Sequence, residues 1–178
     1  MLDRKQTINQ RRNKMKRLAL ILMLVIGLLF MASCSEDDES STQPTPVPEW
    51  VGTWLSAGDD VAPLLVALFQ YDSVRVEMTQ NQIVRTHSHV AGGAWSTVEG
   101  TYKITEAASG DIHTAEFNYA PFDQAGIIQI IAGTPKTMKL EVVQIRPDIG
   151  AVPRTPDSGF GSDVALGTLN IQNYVKED

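Results

Sequence analysis

His87 and His89 stand two residues apart with Ser88 between them, and a third imidazole, His113, lies further along the chain. Side chains two apart on a strand project from one face with Cβ atoms roughly 6.5–7 Å apart. The pair together with His113 could therefore in principle form a three-imidazole zinc site. The same run, Arg85-His87-His89, also reads as the wet face of a sheet, and that is the expectation here. Ser88 faces away from both histidines, so neither can take its proton, and the chain has no Gly-x-Ser-x-Gly elbow. Asp59-Asp60, and Asp157 with Asp163 around a glycine-rich stretch, offer carboxylates to calcium. They follow no fixed ligand spacing, so turn capping is expected of them. Gly159-Phe160-Gly161-Ser162 has the composition of a phosphate cradle but no clear helix after it and an acidic setting. These residues predict no enzyme, no metal site and no cofactor.

The one cysteine, Cys34, belongs to a different chemistry. Arg11, Arg12, Lys14, Lys16 and Arg17 form a cationic flank ahead of the apolar run Leu18–Met31, the order of a membrane-inserting leader. The run is shorter than the roughly 20 residues a spanning helix needs. It is apolar on every side and followed at once by acid, which excludes a buried amphipathic helix. Small residues at Ala32 and Ser33 admit a peptidase, and the thiol of Cys34 is a natural acceptor for a diacylglycerol. Met31-Ala32-Ser33-Cys34 resembles the lipobox of bacterial lipoproteins, with Met31 where leucine is usual. The resemblance implies a signal peptide over residues 1–33 and lipidation at Cys34. Met1 and Met15 are both candidate starts, and the expected mature product is the same from either.

Cleavage before Cys34 removes seven of the 15 basic residues and one of the 21 acidic ones. The remaining 145 residues then carry a formal charge of −12, against −6 for the whole chain. Such a surface repels phosphodiesters and anionic headgroups, which argues against a nucleic-acid partner and against electrostatic docking on lipid. Membrane attachment is left to the acyl chains on Cys34. A lone thiol also rules out an internal disulfide, so stability must come from a packed core. Residues 34–48 combine acid, Ser/Thr and prolines with Val47 as the one large apolar residue, a composition unable to bury a core. They read as a tether of extended backbone. Ser35-Glu36-Asp37-Asp38-Glu39 is similar to the acidic export signal of Bacteroidetes-type surface lipoproteins. That resemblance implies an outer-membrane lipoprotein exposed at the cell surface, with a periplasm-facing attachment as the alternative.

From residue 49 to 178 the pattern is one domain of short strands. Val74, Val76 and Met78 alternate with Arg75 and Glu77, the period of a half-buried strand. Further strands are expected over 83–90, 95–105, 113–119, 127–132 and 138–145, spaced like an antiparallel sandwich or barrel. The continuous apolar run Leu64–Phe69 fits a buried strand or a short helix, and is read as strand.

Gly52-Thr53-Trp54 opens this domain and resembles the first strand of lipocalin-like barrels. The stretches from Gln144 to Gly150, Thr155 to Ser162 and Asn170 to Val175 look similar to uncharacterised lipocalin-like lipoproteins of the same bacterial group. The resemblance implies an all-β, antiparallel up-and-down barrel. Gly52 would bend across the barrel floor, Trp54 would plug it, and Arg146 would be the arginine packed over the tryptophan. Val76, Met78, Tyr102, Phe117 and Tyr119 are the expected inward residues of a ligand site. The function so implied is binding of a small apolar or amphipathic molecule. The alternative is a structural or protein-interaction module of the envelope with a filled core.

Overall fold

The computed structural model describes residues 46–177. The leader, Cys34 and nearly all of the tether lie outside the described residues. Eight strands follow one another: β1 (Gly52–Ala57), β2 (Tyr71–Met78), β3 (Ile83–Val90), β4 (Ser96–Thr105), β5 (Ile112–Tyr119), β6 (Asp123–Ile131), β7 (Thr137–Arg146) and β8 (Gln172–Glu177). Each pairs antiparallel with the next, and β8 returns to β1, so the sheet closes into an up-and-down barrel. Closure removes the unpaired edges that an open sheet of this size would present.

The alternation seen in the sequence sorts side chains inside from outside. On β2, Val74, Val76 and Met78 are buried in the core. Between them Arg75 reaches out to Glu177 at 2.8 Å, while Arg85 and Glu99 pair at 2.6 Å across β3 and β4. The interior is lined with apolar side chains, and the exterior carries cross-strand ion pairs that set register more than they add stability.

One element departs from expectation. Leu64–Phe69 is not a strand but the bulk of a helix, α1 (Pro63–Phe69). Pro63 opens it with a pre-set φ and no N–H to leave unpaired. Gln70 closes it in the left-handed conformation, φ 59°, donating its N–H to Val66 O. A strand here would have been apolar on both faces, and within a barrel only one face can be buried. The run instead coils, directing Leu64, Leu65, Leu68 and Phe69 toward the barrel mouth.

The two barrel ends differ. At one lie the start of β1, the tight β2–β3, β4–β5 and β6–β7 hairpins, and the end of β8. At the other lie α1 and the long β7–β8 connection, residues 147–171, which rest against each other through the Gly167–Asn170 turn. That connection also folds back on the outside of the barrel. Glu141, outward on β7 yet only 2% exposed, accepts the N–H of Gly161 at 2.8 Å, and Lys139 Nζ lies over the Phe160 ring. The glycine-rich stretch is therefore a strap on the barrel wall. Asp163 caps a turn within it by accepting the N–H groups of Ala165 and Leu166.

Candidate functional site

The first strand builds the floor. Trp54 is fully buried, and its indole N–H donates to Trp50 O at 2.8 Å. The cation over its ring is Lys176, with Nζ 5.2 Å from the ring centroid and donating to Val51 O at 3.0 Å. Lys176 is the direct partner of Trp54 in the β1–β8 register. Gly52, at φ +138°, leaves room for it: a Cβ there would stand 2.8 Å from Lys176 Cε. Gly52, Trp54 and Lys176 thus form one closing unit.

Arg146 does not take part in that unit. It ends β7 at the opposite rim, forks onto Asp123 with Nη2–Oδ1 at 2.8 Å, and donates to Tyr119 O. The pairing holds the Asp123 carboxyl below its ordinary range. The reason is directional: β7 runs from the closed end to the open one, so its last residue cannot reach the floor, whereas β8 runs back toward it.

Above the floor the barrel is hollow. A cavity of about 590 Å³ extends from the interior to the mouth between α1 and the β7–β8 connection. Its size falls among small-molecule sites, roughly 300–1,000 Å³. Val76, Phe117 and Tyr119 line it as expected, joined by Phe122 and Tyr174. Met78 and Tyr102 do not. Met78 pairs in register with Gly52 at the closed end, and the Tyr102 hydroxyl donates to Thr79 O at 2.6 Å in the β2–β3 hairpin. Both fill the floor, because inward residues near a hairpin at that end meet packed side chains rather than space.

Among the described residues, the lining contains no carboxylate, ammonium, guanidinium or imidazole. Four of its hydroxyls pair with one another: Thr86 with Tyr119 at 2.8 Å, and Ser88 with Ser96 at 2.8 Å. Burial pushes the Tyr119 phenol up to about 12, its bond to Thr86 opposing the shift in part. Burial likewise raises Tyr174, the neighbouring Tyr119 adding to it. The wall is neutral and largely apolar, fit to hold an apolar body.

The three imidazoles stay apart. His87 and His89 lie outside on β3, where His87 bonds Thr97 Oγ1 at 2.8 Å and His89 bonds Asp72 at 2.6 Å. That bond holds the Asp72 carboxyl down. His113 accepts the Ala107 N–H and meets Trp50 edge-on at 6.2 Å, in the β4–β5 turn region of the closed end. Ser88 faces the cavity, on the opposite side of β3 from both histidines. Asp59 and Asp60 are exposed in a single 3₁₀ turn.

The sequence reading did not find the α1 lid, the Lys176 cap or Gln172. For Lys176 a signal existed, since a cation two residues past the inward Tyr174 shares its side of the strand. No family model, curated protein or solved structure matches this chain.

Proposed function

We propose that this chain is a membrane-anchored, lipocalin-like lipoprotein whose barrel carries a small apolar or amphipathic molecule and performs no catalysis. The observation that carries the reading is the cavity: about 590 Å³, walled by Val76, Val98, Phe117, Tyr119 and Val142, with no charged group on its lining. Apolar area removed from water contributes about 25 cal/mol per Å², so such a cavity favours an apolar guest over bulk water. A space of this size favours a carrier over an interaction module with a solid core. The α1 lid presents Leu68 and Phe69 at the entrance, 64% and 52% exposed, where an incoming lipid would first meet apolar surface.

Anchorage rests on the leader and Cys34, and the outer-membrane address on the acidic run after it. Two measurements test the proposal. Metabolic labelling with palmitate is expected to mark the chain and to leave Cys34→Ser unmarked. Organic extraction of the purified full chain followed by mass spectrometry is expected to release a small apolar molecule in near one-to-one ratio. An unlabelled product contradicts the anchor, and an empty barrel that also takes up no added apolar probe contradicts the carrier.

A further inference from the structure

Gln172 opens β8 with its side chain turned inward, opposite Leu140, and only 6% of the residue is exposed. Its Nε2 is buried and has no hydrogen-bond partner among the described residues. Several other polar groups on the cavity wall are paired, Thr86 with Tyr119, Ser88 with Ser96, Gln144 with Pro147 O and Asn170 with Val142 O, and among the described residues Gln172 Nε2 is the one fully buried side-chain polar atom of the lining left without a partner. Ser56 Oγ and His87 Nε2 are also buried without a hydrogen bond, the latter 3.4 Å from Glu77 Oε1, but neither residue lines the cavity. Buried polar groups are almost always satisfied, so a fully buried amide donor left open on the cavity wall marks the place where something else completes it.

We infer that Gln172 is the polar recognition point of the cavity, donating to an uncharged acceptor oxygen (an ester, ketone or ether) on a neutral lipid-like ligand. This rests on the carrier reading above and narrows it to a chemical class. The restriction to neutral ligands follows from the lining. A carboxylate or phosphate brought to Gln172 would be taken out of water with no cation beside it, which is strongly unfavourable. The cations at the two barrel ends are committed elsewhere, Lys176 at the floor to Val51 O and Arg146 on the rim to Asp123. An anionic amphiphile held tail-first with its head in water would leave Gln172 unmet. A pure hydrocarbon would do the same.

The test is an NMR titration of the full chain in detergent micelles, ¹⁵N-labelled and ¹³C-labelled at Val and Leu methyls. Methyl dodecanoate, dodecanoate at pH 8 and dodecane serve as probes. The Gln172 side-chain amide is identified by its loss in Gln172→Leu. The ester is expected to shift the cavity methyls of Val76, Val98 and Val142 and to move the Gln172 amide downfield. Dodecane is expected to shift the methyls alone, and dodecanoate to bind at least about tenfold more weakly than the ester. Gln172→Leu is expected to weaken the ester about tenfold, the equivalent of one hydrogen bond, without weakening dodecane. Gln172→Met, which keeps the side-chain length, should give the same ranking. Methyl shifts with an unmoved amide, dodecanoate binding as tightly as the ester, or equal losses for ester and alkane would overturn the inference and leave the carrier reading standing. An unmoved amide is also what a water held at Gln172 would give. If no probe moves the cavity methyls, the carrier reading itself fails.

Discussion

Replacing Gly52 by alanine should destabilise the barrel by two separable routes. The backbone at φ +138° lies in a region populated almost only by glycine, and a Cβ there adds about 1–3 kcal/mol of strain. The same Cβ would stand 2.8 Å from Lys176 Cε and 3.2 Å from Nζ. The end of a lysine can move aside, but in doing so it leaves Val51 O and the face of Trp54. For a partly exposed lysine those contacts together are worth about 1–2 kcal/mol. Gly52→Ala should therefore lose about 2–5 kcal/mol, a large share of the 5–15 kcal/mol typical of a domain. Lys176→Met alone should lose about 1–2 kcal/mol. In the double variant the displaced contacts are lost only once, so the total should fall short of the sum of the singles by about 1–2 kcal/mol. Urea unfolding followed by tryptophan fluorescence, fitted as a double-mutant cycle, measures this. Additivity to within about 0.5 kcal/mol, the behaviour of independent sites, would refute the claim that Gly52 exists to seat Lys176.

Other expectations concern pH and the lid. Burial pushes the Tyr119 phenol up to about 12 in the folded barrel and raises Tyr174 as well, whereas an unfolded tyrosine titrates near 10. The stability tied to their protonated state is complete below pH 10 and is lost as pH rises from 10 through 12. Tyrosinate absorbance at 295 nm should accordingly show part of its amplitude only together with loss of the barrel's circular dichroism. At the acid side, Asp72 is held down by His89, Asp123 by Arg146 and Asp163 by the amides of Leu166 and Ala165. Their contribution is present above the ordinary carboxylate pKa of 3.8 and disappears as pH falls below it; thermal melts from pH 5 to pH 2 should show the midpoint dropping. Gln70 sits in the left-handed conformation at the end of α1, so Gln70→Gly should raise stability by about 0.5–1 kcal/mol, read by the same urea titration.

The strands were legible where one face of the sheet is wet and the other dry, because alternation such as Val74-Arg75-Val76-Glu77 has one physical solution. Leu64–Phe69 carried no alternation, and a short apolar run satisfies a buried strand and a helix equally; only Pro63 ahead of it hinted at a helix start. The hollow was legible as a set of inward residues but not as a space. Whether Tyr102 and Phe117 fill or line the barrel depends on their height above Trp54, and height depends on strand tilt and register. The floor cation shows the same limit. Arg146 and Lys176 are both cations near strand ends, and what separates them is the direction in which β7 and β8 run. Gln172 reads as an ordinary polar residue until its amide is seen to be buried without a partner among the described residues.

The carrier claim is tested most directly by titrating the full chain with N-phenyl-1-naphthylamine, a neutral dye that brightens in apolar surroundings, beside the variant Val98→Phe/Val142→Phe. These side chains line the cavity from β4 and β7, and the added rings would take up part of its space away from the floor. A saturable, blue-shifted signal at one dye per wild-type chain, absent from the filled variant while its β-type circular dichroism persists, is the predicted result. A wild type that gives no saturable signal, or a filled variant that binds the dye equally well, would contradict it.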